Sequence, residues 1–439
     1  MSYLEYFESF DKDVSQNLDG VNAIVAELDY PHLKFKSVHV AGTNGKTSVI
    51  DSLASIIKEA GYKVGKFSSP YLINFCNQIQ VSGEDISEGD VESYLDILKP
   101  IIENIGKDSV KHRDVLTAMA FMHFAKQKVD IAVIECEIGG TCDSTNIIKP
   151  LVTVITKIDY DHVNILGTTL PEISENICGI IKQDTPLVTS NFSTALTTIT
   201  SRAESLNADI IRVATKDVST THYNIMKPMR LTYGGNHYFT TLKGRHQGIN
   251  TAVVLEVLKL LNTMGFDIEI AHIGSGLENL DPLARFEALC KKPLVIFDSA
   301  HNSNSFKAFM QNVEDYFWGN VKKTVFVVSM HRSENMKESL VTMAKYMPRG
   351  GHIIFTNGID GDFYSANELF NAYAESDKRY QIIDDVAKRR THSTALCITD
   401  FTDAIINATT KHAHDSAIFI IGSYKTYVNA KEIVSNERV

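Results

Sequence analysis

The sequence has few cysteines, and their arrangement builds no recognisable site. Six cysteines are scattered over 439 residues, without a C-x-x-C pair or a dense cluster. This pattern argues against a disulfide-stapled secreted scaffold and against a zinc site with regular cysteine spacing, and it favours a reducing compartment. The six are Cys76, Cys136, Cys142, Cys178, Cys290 and Cys397.

Excess positive charge and long apolar runs are also missing. Lys and Arg number 43 against 53 Asp and Glu, which gives a formal net charge of -10 and a pI near 5.8. Nucleic acids and anionic membranes attract clustered positive charge, so neither is an expected partner. No apolar run is long enough to span a bilayer, and the acidic start MSYLEYFESFDKDV does not have the pattern of a signal peptide. We therefore expect a cytoplasmic protein that acts on small molecules, and we take it to be a monomer.

What the sequence does contain is enough apolar material for two folded domains. It is 44% hydrophobic and 22% charged, and its length exceeds what one core usually supports. Short β-branched runs alternate with longer amphipathic stretches, which predicts an α/β fold with mainly parallel sheets covered by helices. The segment 276–289 shows no clear strand. We place the domain boundary near Asp281, which gives domains 1–281 and 282–439.

Eight strands and one helix are predicted with definite bounds. The helix runs from Ser48 to Ala60, with Gly61 as its stop signal. The strands are Ser37–Ala41, Lys63–Phe67, Ile131–Glu135, Leu151–Thr156, Leu294–Asp298, Thr324–Ser329, His352–Thr356 and Ala417–Ile421.

The segment GTNGKTS, residues 42–48, lies between a predicted strand and a predicted helix. Glycines in such a loop let backbone N–H groups surround an anion at the positive end of the helix. Lys46 would reach the terminal phosphates and the Thr47 hydroxyl a magnesium ion, as in P-loop enzymes. The strict G-x-x-x-x-G-K-[ST] spacing is not met, because Val40 occupies its first position. An ordinary turn between strand and helix is the alternative interpretation.

Polar residues follow two of the predicted strands. Glu135 ends the run IAVIE, and His162 lies shortly after the next apolar run, in KIDYDH. Ligands of open α/β sheets bind outside the carboxyl ends of the strands, and a hard carboxylate oxygen there suits a nucleotide-bound Mg²⁺. His162 as a purely structural loop residue is the alternative.

With these residues in view, the chain resembles folylpolyglutamate synthase and dihydrofolate synthase, within the Mur ligase superfamily. The matching segments follow one another from about residue 39 to the end of the chain. They are HVAGTNGKTSV, FSSPYL, VLTAMAFMHFA, DIAVIECEIGGTCDSTNI, DHVNILGTTLPEI with GIIK, GRHQGIN, ARFEAL, DSAHN and IFIIGSYKTYVNAKEI.

The resemblance implies a fold and an activity. The fold would be an N-terminal P-loop domain of the Mur ligase type and a smaller Rossmann-like C-terminal α/β domain. The activity would be an ADP-forming amide ligase, in which ATP phosphorylates a substrate carboxylate and the amino group of L-glutamate attacks the acyl phosphate. ATP and Mg²⁺ are implied, with a monovalent cation such as K⁺ as a further candidate. The acceptor would be a pterin-containing acid, either dihydropteroate or a reduced folate.

The resemblance also implies roles for individual residues. Lys46, His162, Asp298 and His301 match catalytic positions. Asn250, Arg285 and Asp298 match positions that meet the nucleotide, and Asp298 and His301 would close over ATP and glutamate. The phosphate loop comprises Gly42, Thr43, Asn44, Gly45, Lys46, Thr47 and Ser48, and the magnesium positions are Thr47, Ser69, Glu135 and His162.

Several positions depart from the family pattern. Thr47, Tyr71 and Thr141 stand where Gly, His and Arg are usual, and Cys76-Asn77-Gln78 replaces a charged pair expected beside the pterin. Ile177 occupies the place where many members carry a lysine that becomes carbamylated and helps to hold a second magnesium. Two alternatives therefore stay open: a Mur-type ligase for another carboxylate, and a family member that binds nucleotide or folate without ligase activity.

Overall fold

A computed structural model describes residues 2–11, 17–221, 223–317, 323–348, 350–384, 394–412 and 416–436. The chain divides into two compact units. The first contains residues 1–219, 231–239 and 247–280, and the second contains 220–230, 240–246 and 281–439. The long C-terminal segment of the second unit begins at Asp281, and two earlier segments also belong to this unit.

The first unit is built on a sheet that has eight strands in the described part of the chain, in the order β4-β3-β2-β5-β1-β6-β7-β8. Strands β1, β2 and β5 to β8 pair in parallel, whereas β3 and β4 add an antiparallel edge. The strands are β1 (Lys36–Ala41), β2 (Val64–Phe67), β3 (Ile79–Val81), β4 (Glu84–Asp85), β5 (Ile131–Glu135), β6 (Val152–Ile155), β7 (Leu187–Thr189) and β8 (Ile210–Arg212).

Helices pack around this sheet, and some of them bury an apolar stripe against it. On α3, for example, Val49, Leu53, Ile56 and Ile57 are all fully buried at helical spacing. The helices are α1 (Tyr3–Glu8), α2 (Asp19–Glu27), α3 (Lys46–Glu59), α4 (Glu88–Ile105), α5 (His112–Gln127), α6 (Val163–Leu166), α7 (Leu170–Ile177), α8 (Ser193–Ser205), α9 (Arg245–Thr263) and α10 (Ile270–Glu278). Within the described ranges, no helix has the length and apolar character needed to cross a membrane.

Three short strands form a separate small sheet in the order β11-β10-β9. They are β9 (Ser219–Thr221), β10 (Met229–Tyr233) and β11 (Asn236–Thr240). The chain passes between the two units within these strands.

The second unit contains a sheet in the order β12-β13-β17-β14-β15-β16, with six strands among the described residues. All its pairs are parallel except β12 with β13. Its strands are β12 (Glu287–Lys291), β13 (Leu294–Asp298), β14 (Lys323–Val328), β15 (His352–Phe355), β16 (Thr394–Cys397) and β17 (Ser416–Ile421). Its helices are α11 (Ser303–Phe317), α12 (Met336–Tyr346), α13 (Ala366–Asp384), α14 (Phe401–Lys411) and α15 (Tyr427–Asn436).

The predicted α/β fold class is confirmed, but one local expectation is wrong. The segment 276–289 does contain the start of a strand, because β12 begins at Glu287 and pairs antiparallel with β13. Its sequence EALCK is mostly half-buried and the pairing shifts register between Ala288 and Cys290. A half-buried strand with an irregular register lacks the continuous apolar run by which the other strands were found.

Candidate active site

The predicted phosphate loop joins β1 to α3. Gly42 and Gly45 adopt φ values of 138° and 94°, which residues with a side chain rarely adopt. A Cβ on Gly42 would lie 2.1 Å from Thr156 Oγ1, and one on Gly45 would lie 2.7 Å from Asn250 Oδ1. Both positions therefore require glycine, and the loop opens directly into the first turn of α3 at Lys46.

The loop after β6 fixes this phosphate loop from one side. The backbone N–H groups of Thr43 and Asn44 donate to the carbonyl of Lys157, at 2.9 and 3.1 Å. The Thr43 hydroxyl donates to the Asp159 carbonyl and accepts from the Asp159 N–H, each at 3.0 Å. The Lys46 ammonium folds back to the Gly42 carbonyl at 2.9 Å. Lys46 thus lies over the loop, in the place from which it would contact an anion held there.

Helix α9 supports the start of α3 from another side. Gln247 donates from Nε2 to Ser48 Oγ at 3.0 Å and accepts from Asn250 Nδ2 at 3.0 Å. Asn250 is therefore held against Gly45 in the phosphate loop, where its amide would meet a bound nucleotide. Thr47, in the first turn of α3, is half-buried, whereas Ser48 is buried.

The predicted magnesium positions follow strand ends at the same edge of the sheet. Glu135 closes β5, and only 1% of its surface is exposed. Ser69 is buried two residues after the end of β2. His162 is exposed, has φ of 45° and precedes α6, and its backbone N–H donates to Asp161 Oδ1. The fold therefore brings all three residues to the carboxyl edge of the sheet, where the phosphate loop also lies.

Glu135 is a buried carboxyl group with two positively charged side chains nearby. Burial raises the pKa of its carboxyl to about 7, although the nearby positive charges of Lys46 and Arg113 act in the opposite direction. Its Oε2 atom is buried and has no hydrogen-bond partner among the described residues. Across the described ranges, no three His, Cys, Asp or Glu side chains cluster as a metal site. Mg²⁺ commonly takes only one or two carboxylates together with nucleotide phosphates, so the residues present fit it.

Ile177 lies in an apolar environment that does not suit a metal ligand. It ends α7, is 1% exposed and packs in an apolar cluster with Cys136, Ile173 and Ile181. This position therefore contributes packing to the core and offers no oxygen to a second metal ion.

The second unit carries Asp298 at the carboxyl end of β13. Its Oδ2 accepts from the Phe286 N–H and its Oδ1 from the Ala300 N–H, each at 2.9 Å. Burial raises the pKa of this carboxyl to about 7, while the two backbone hydrogen bonds and the nearby Arg285 lower it. Asp298 thus ties the segment before β12 to the loop that follows β13.

His301 and Arg285 lie on the two segments that Asp298 ties together. His301 Nδ1 is 2.8 Å from the Ser299 carbonyl. Because a carbonyl only accepts, Nδ1 carries the proton in this contact and Nε2 keeps the lone pair. The Arg285 guanidinium donates from Nη1 to the Leu283 carbonyl at 3.1 Å. The structure thus gathers the predicted residues into two groups, with Arg285, Asp298 and His301 in the second unit and the others in the first.

Comparison with known proteins gives the family. Residues 40–258 match the Mur ligase middle domain. Over 393 residues the chain is 32% identical to the dihydrofolate synthase/folylpolyglutamate synthase of Bacillus subtilis, covering 85% of this chain and 89% of the relative. The chain belongs to the dihydrofolate synthase/folylpolyglutamate synthase family, within the Mur ligase superfamily.

Solved structures of this family share the fold over almost their whole length. Folylpolyglutamate synthase of Mycobacterium tuberculosis, solved with ADP and AMPPCP, gives a TM-score of 0.83 at 24% identity and covers 96% of each chain. The FolC protein of Escherichia coli, solved with DHPP and ADP, gives 0.82 at 21% identity and covers 100% of this chain and 98% of that one. The predicted family membership and fold are therefore confirmed.

Two site residues were not found by the sequence analysis. Gln247 holds both Ser48 and Asn250, and its three-residue spacing from Asn250 on α9 was the available signal. Arg113 contacts the backbone of Glu135 from α5. It lies 22 residues before Glu135 in the sequence, so only the packing of α5 against the sheet reveals it.

Proposed function

We propose that this chain joins L-glutamate to the carboxylate of dihydropteroate, of a reduced folate, or of both, with cleavage of ATP to ADP and phosphate. A carboxylate is a poor electrophile, so its oxygen first attacks the terminal phosphoryl group of ATP. The glutamate amine then displaces phosphate from the acyl phosphate and forms the amide. One observation supports the proposal beyond family membership. Glu135 has a buried oxygen without a described hydrogen-bond partner, and it lies at the carboxyl edge of the sheet, where the phosphate loop leads into α3.

The first unit would bind and orient the nucleotide. Backbone N–H groups at the start of α3 and the Lys46 ammonium would hold its phosphates, with Asn250 placed beside them. Thr47, Ser69, Glu135 and His162 would hold Mg²⁺. When bound, this ion supplies charge neutralisation on the transferring phosphoryl group. K⁺ stays a further candidate.

We assign the second unit to the glutamate half-reaction and to contacts with the nucleotide. His301 Nε2 keeps a lone pair toward an incoming group, and Asp298 fixes the loop from which His301 projects. Residues 1–281 would form the ATP-binding domain and residues 282–439 the glutamate-ligase domain. We propose a cytoplasmic monomer as the working form.

Product analysis tests this function. The purified protein would be incubated with MgATP, L-glutamate and either dihydropteroate or tetrahydrofolate, and the products read by mass spectrometry. A glutamyl increment on dihydropteroate establishes dihydrofolate synthase activity, and increments on tetrahydrofolate establish polyglutamate synthase activity. No increment on either acceptor, from a folded protein that binds ATP, overturns the proposal. It would favour another carboxylate substrate or a non-catalytic relative.

A further inference from the structure

Arg113 is a buried cation beside the candidate metal ligand to which no role has been given. It occupies the first turn of α5, and only 13% of its side chain is exposed. Its Nη2 donates to the backbone carbonyl of Glu135 at 3.0 Å. Its guanidinium carbon lies 4.4 Å from the centroid of the Phe67 ring, at the end of β2. Arg113 therefore contacts the last residues of two neighbouring strands.

The Glu135 carbonyl needs a donor from outside the sheet. The pairing of β2 with β5 ends at Phe67 and Ile134. On the other side of β5, the Cys136 N–H donates to the Val40 carbonyl and so points toward β1. The Glu135 carbonyl belongs to the same peptide unit and points the opposite way, to the side where β2 has ended. Arg113 supplies the donor there and so fixes the backbone from which the Glu135 side chain projects.

Arg113 is itself held by acidic groups on the loop after β5. Its Nε lies 3.5 Å from Glu137 Oε2 and 4.0 Å from Asp143 Oδ2. Asp143 is buried, and it accepts from the N–H groups of Glu137 and Thr145, each at 2.9 Å. The guanidinium is thus fixed between the strand end and this loop, so a shift of Arg113 would move both.

The same geometry argues against direct contact of Arg113 with a substrate. Its Nε and Nη1 atoms are buried and make no hydrogen bond to any described residue. Burial keeps these two atoms from contact with a dissolved anion. We therefore expect Arg113 to act on the reaction through the strand end and the loop that it holds, and not by direct contact.

We propose that Arg113 is a positioning residue that holds the carboxyl end of β5, and with it the Glu135 carboxylate, in the geometry that binds the metal ion of the nucleotide. This inference rests on the proposed role of Glu135 as a metal ligand. Groups that orient a metal ligand commonly affect metal affinity by about 10- to 100-fold. Arginine suits this position better than lysine, because its planar fork donates to the Glu135 carbonyl from Nη2 while Nε lies 3.5 Å from Glu137 Oε2.

Metal binding by Arg113→Lys and Arg113→Met tests the proposal. Mn²⁺, which suits the same oxygen ligands as Mg²⁺, would be titrated into the full-length enzyme with saturating ADP and followed by EPR. Calorimetry with EDTA present would give the metal-free affinity for ADP. We expect Mn²⁺ affinity to fall at least about 10-fold in both variants, with metal-free ADP affinity within about twofold. Arg113→Lys keeps the charge and serves as the test if Arg113→Met does not fold.

Two further variants separate the possible outcomes. Lys126→Met is the matched control, because Lys126 lies at the other end of α5 and also combines an ion pair, to Asp90 at 3.0 Å, with a ring contact, to Tyr94. It should leave Mn²⁺ affinity unchanged. Glu135→Gln is the reference for loss of the ligand. If Glu135→Gln weakens Mn²⁺ binding and the folded Arg113 variants do not, the positioning role is overturned. If Glu135→Gln also has no effect, the metal assignment itself fails.

Discussion

Two acidic residues end buried parallel strands in this protein, one in each unit, and their surroundings differ. Burial raises the pKa of both Glu135 and Asp298 to about 7. Glu135 keeps an oxygen without a described hydrogen-bond partner and lies near two cations, Lys46 and Arg113. Asp298 instead has both oxygens occupied by backbone N–H groups. A similar pKa thus accompanies two different arrangements, and under our proposal Glu135 accepts a metal ion whereas Asp298 also holds a loop.

The largest expected effect on activity comes from the phosphate loop, which lies in the same unit as Glu135. Lys46→Ala should lower kcat/KM by at least about 100-fold, because a preorganised positive charge at the phosphates is lost. The fold should persist, since the Lys46 ammonium makes its described hydrogen bond to a single carbonyl, that of Gly42. Steady-state kinetics and circular dichroism would check this. Lys259→Ala is the control, because Lys259 pairs with Glu256 on the exposed side of α9. Unchanged turnover in Lys46→Ala would end the phosphate-loop assignment.

Glu135→Gln tests whether the first carboxylate serves a ligand. The substitution keeps the shape but removes the charge, so we expect metal-dependent activity to fall by more than the roughly 10- to 100-fold typical of groups that only orient a metal ligand. The melting temperature should stay the same or rise, because an unpaired buried carboxylate is costly. Kinetics at several Mg²⁺ concentrations and calorimetric melting would measure the two effects. A large loss of stability with normal metal dependence would make Glu135 a structural residue.

Asp298→Asn tests the other side of the comparison. An Asn amide offers one acceptor oxygen, so one of the two N–H groups of Phe286 and Ala300 would face an NH₂ group instead. We expect the free energy of unfolding to fall by about 1–3 kcal/mol, and activity to fall with it because His301 projects from the same loop. Denaturant unfolding would measure the first effect. If activity were lost at unchanged stability, Asp298 would act mainly on the substrates, and the contrast with Glu135 would disappear.

The sequence predicted the strands well, because their signal is local. All eight predicted strands are present, with bounds within one residue of those observed. These strands lie in mainly parallel sheets and are mostly buried, so most of them read as nearly continuous apolar runs. The helix predicted from Ser48 begins two residues earlier, at Lys46, because Gly45 adopts the left-handed conformation that precedes it. The irregular strand β12 was missed for the opposite reason, since its burial is incomplete.

The site was predictable only where function leaves a sequence motif. The phosphate loop, Glu135 and Asp298 follow strand ends and could be placed from pattern and resemblance. The hydrogen-bond partners of these residues could not. Arg113 and Gln247 reach the site from α5 and α9, and their contacts depend on how those helices pack against the sheet. The saturation of Asp298 by two N–H groups is likewise set by loop conformation, which carries no periodic signal.

A smaller effect, on the pH dependence of stability, is expected from His39, which is buried on β1. Its Nε2 lies 2.9 Å from Thr145 Oγ1, and burial lowers the pKa of its imidazole to about 3. The unfolded chain therefore binds a proton that the folded protein does not between about pH 6.5 and pH 3. Stability is complete above the unfolded pKa, and it falls as the pH drops through that window, by about 1.4 kcal/mol per pH unit.

Replacement of this histidine would isolate its contribution. His39→Gln removes the titrating group, so the free energy of unfolding of this variant should depend less on pH. The slope should decrease by up to about 1.4 kcal/mol per pH unit, measured by urea unfolding from pH 7 to pH 5. His237→Gln, at an exposed histidine on β11, controls for the substitution. Equal slopes for the wild type and His39→Gln would show that the folded protein admits the proton. Thr145 and Asp143, which lie beside His39 and of which Asp143 forms an ion pair with Arg113, would then be more accessible to water than their burial implies.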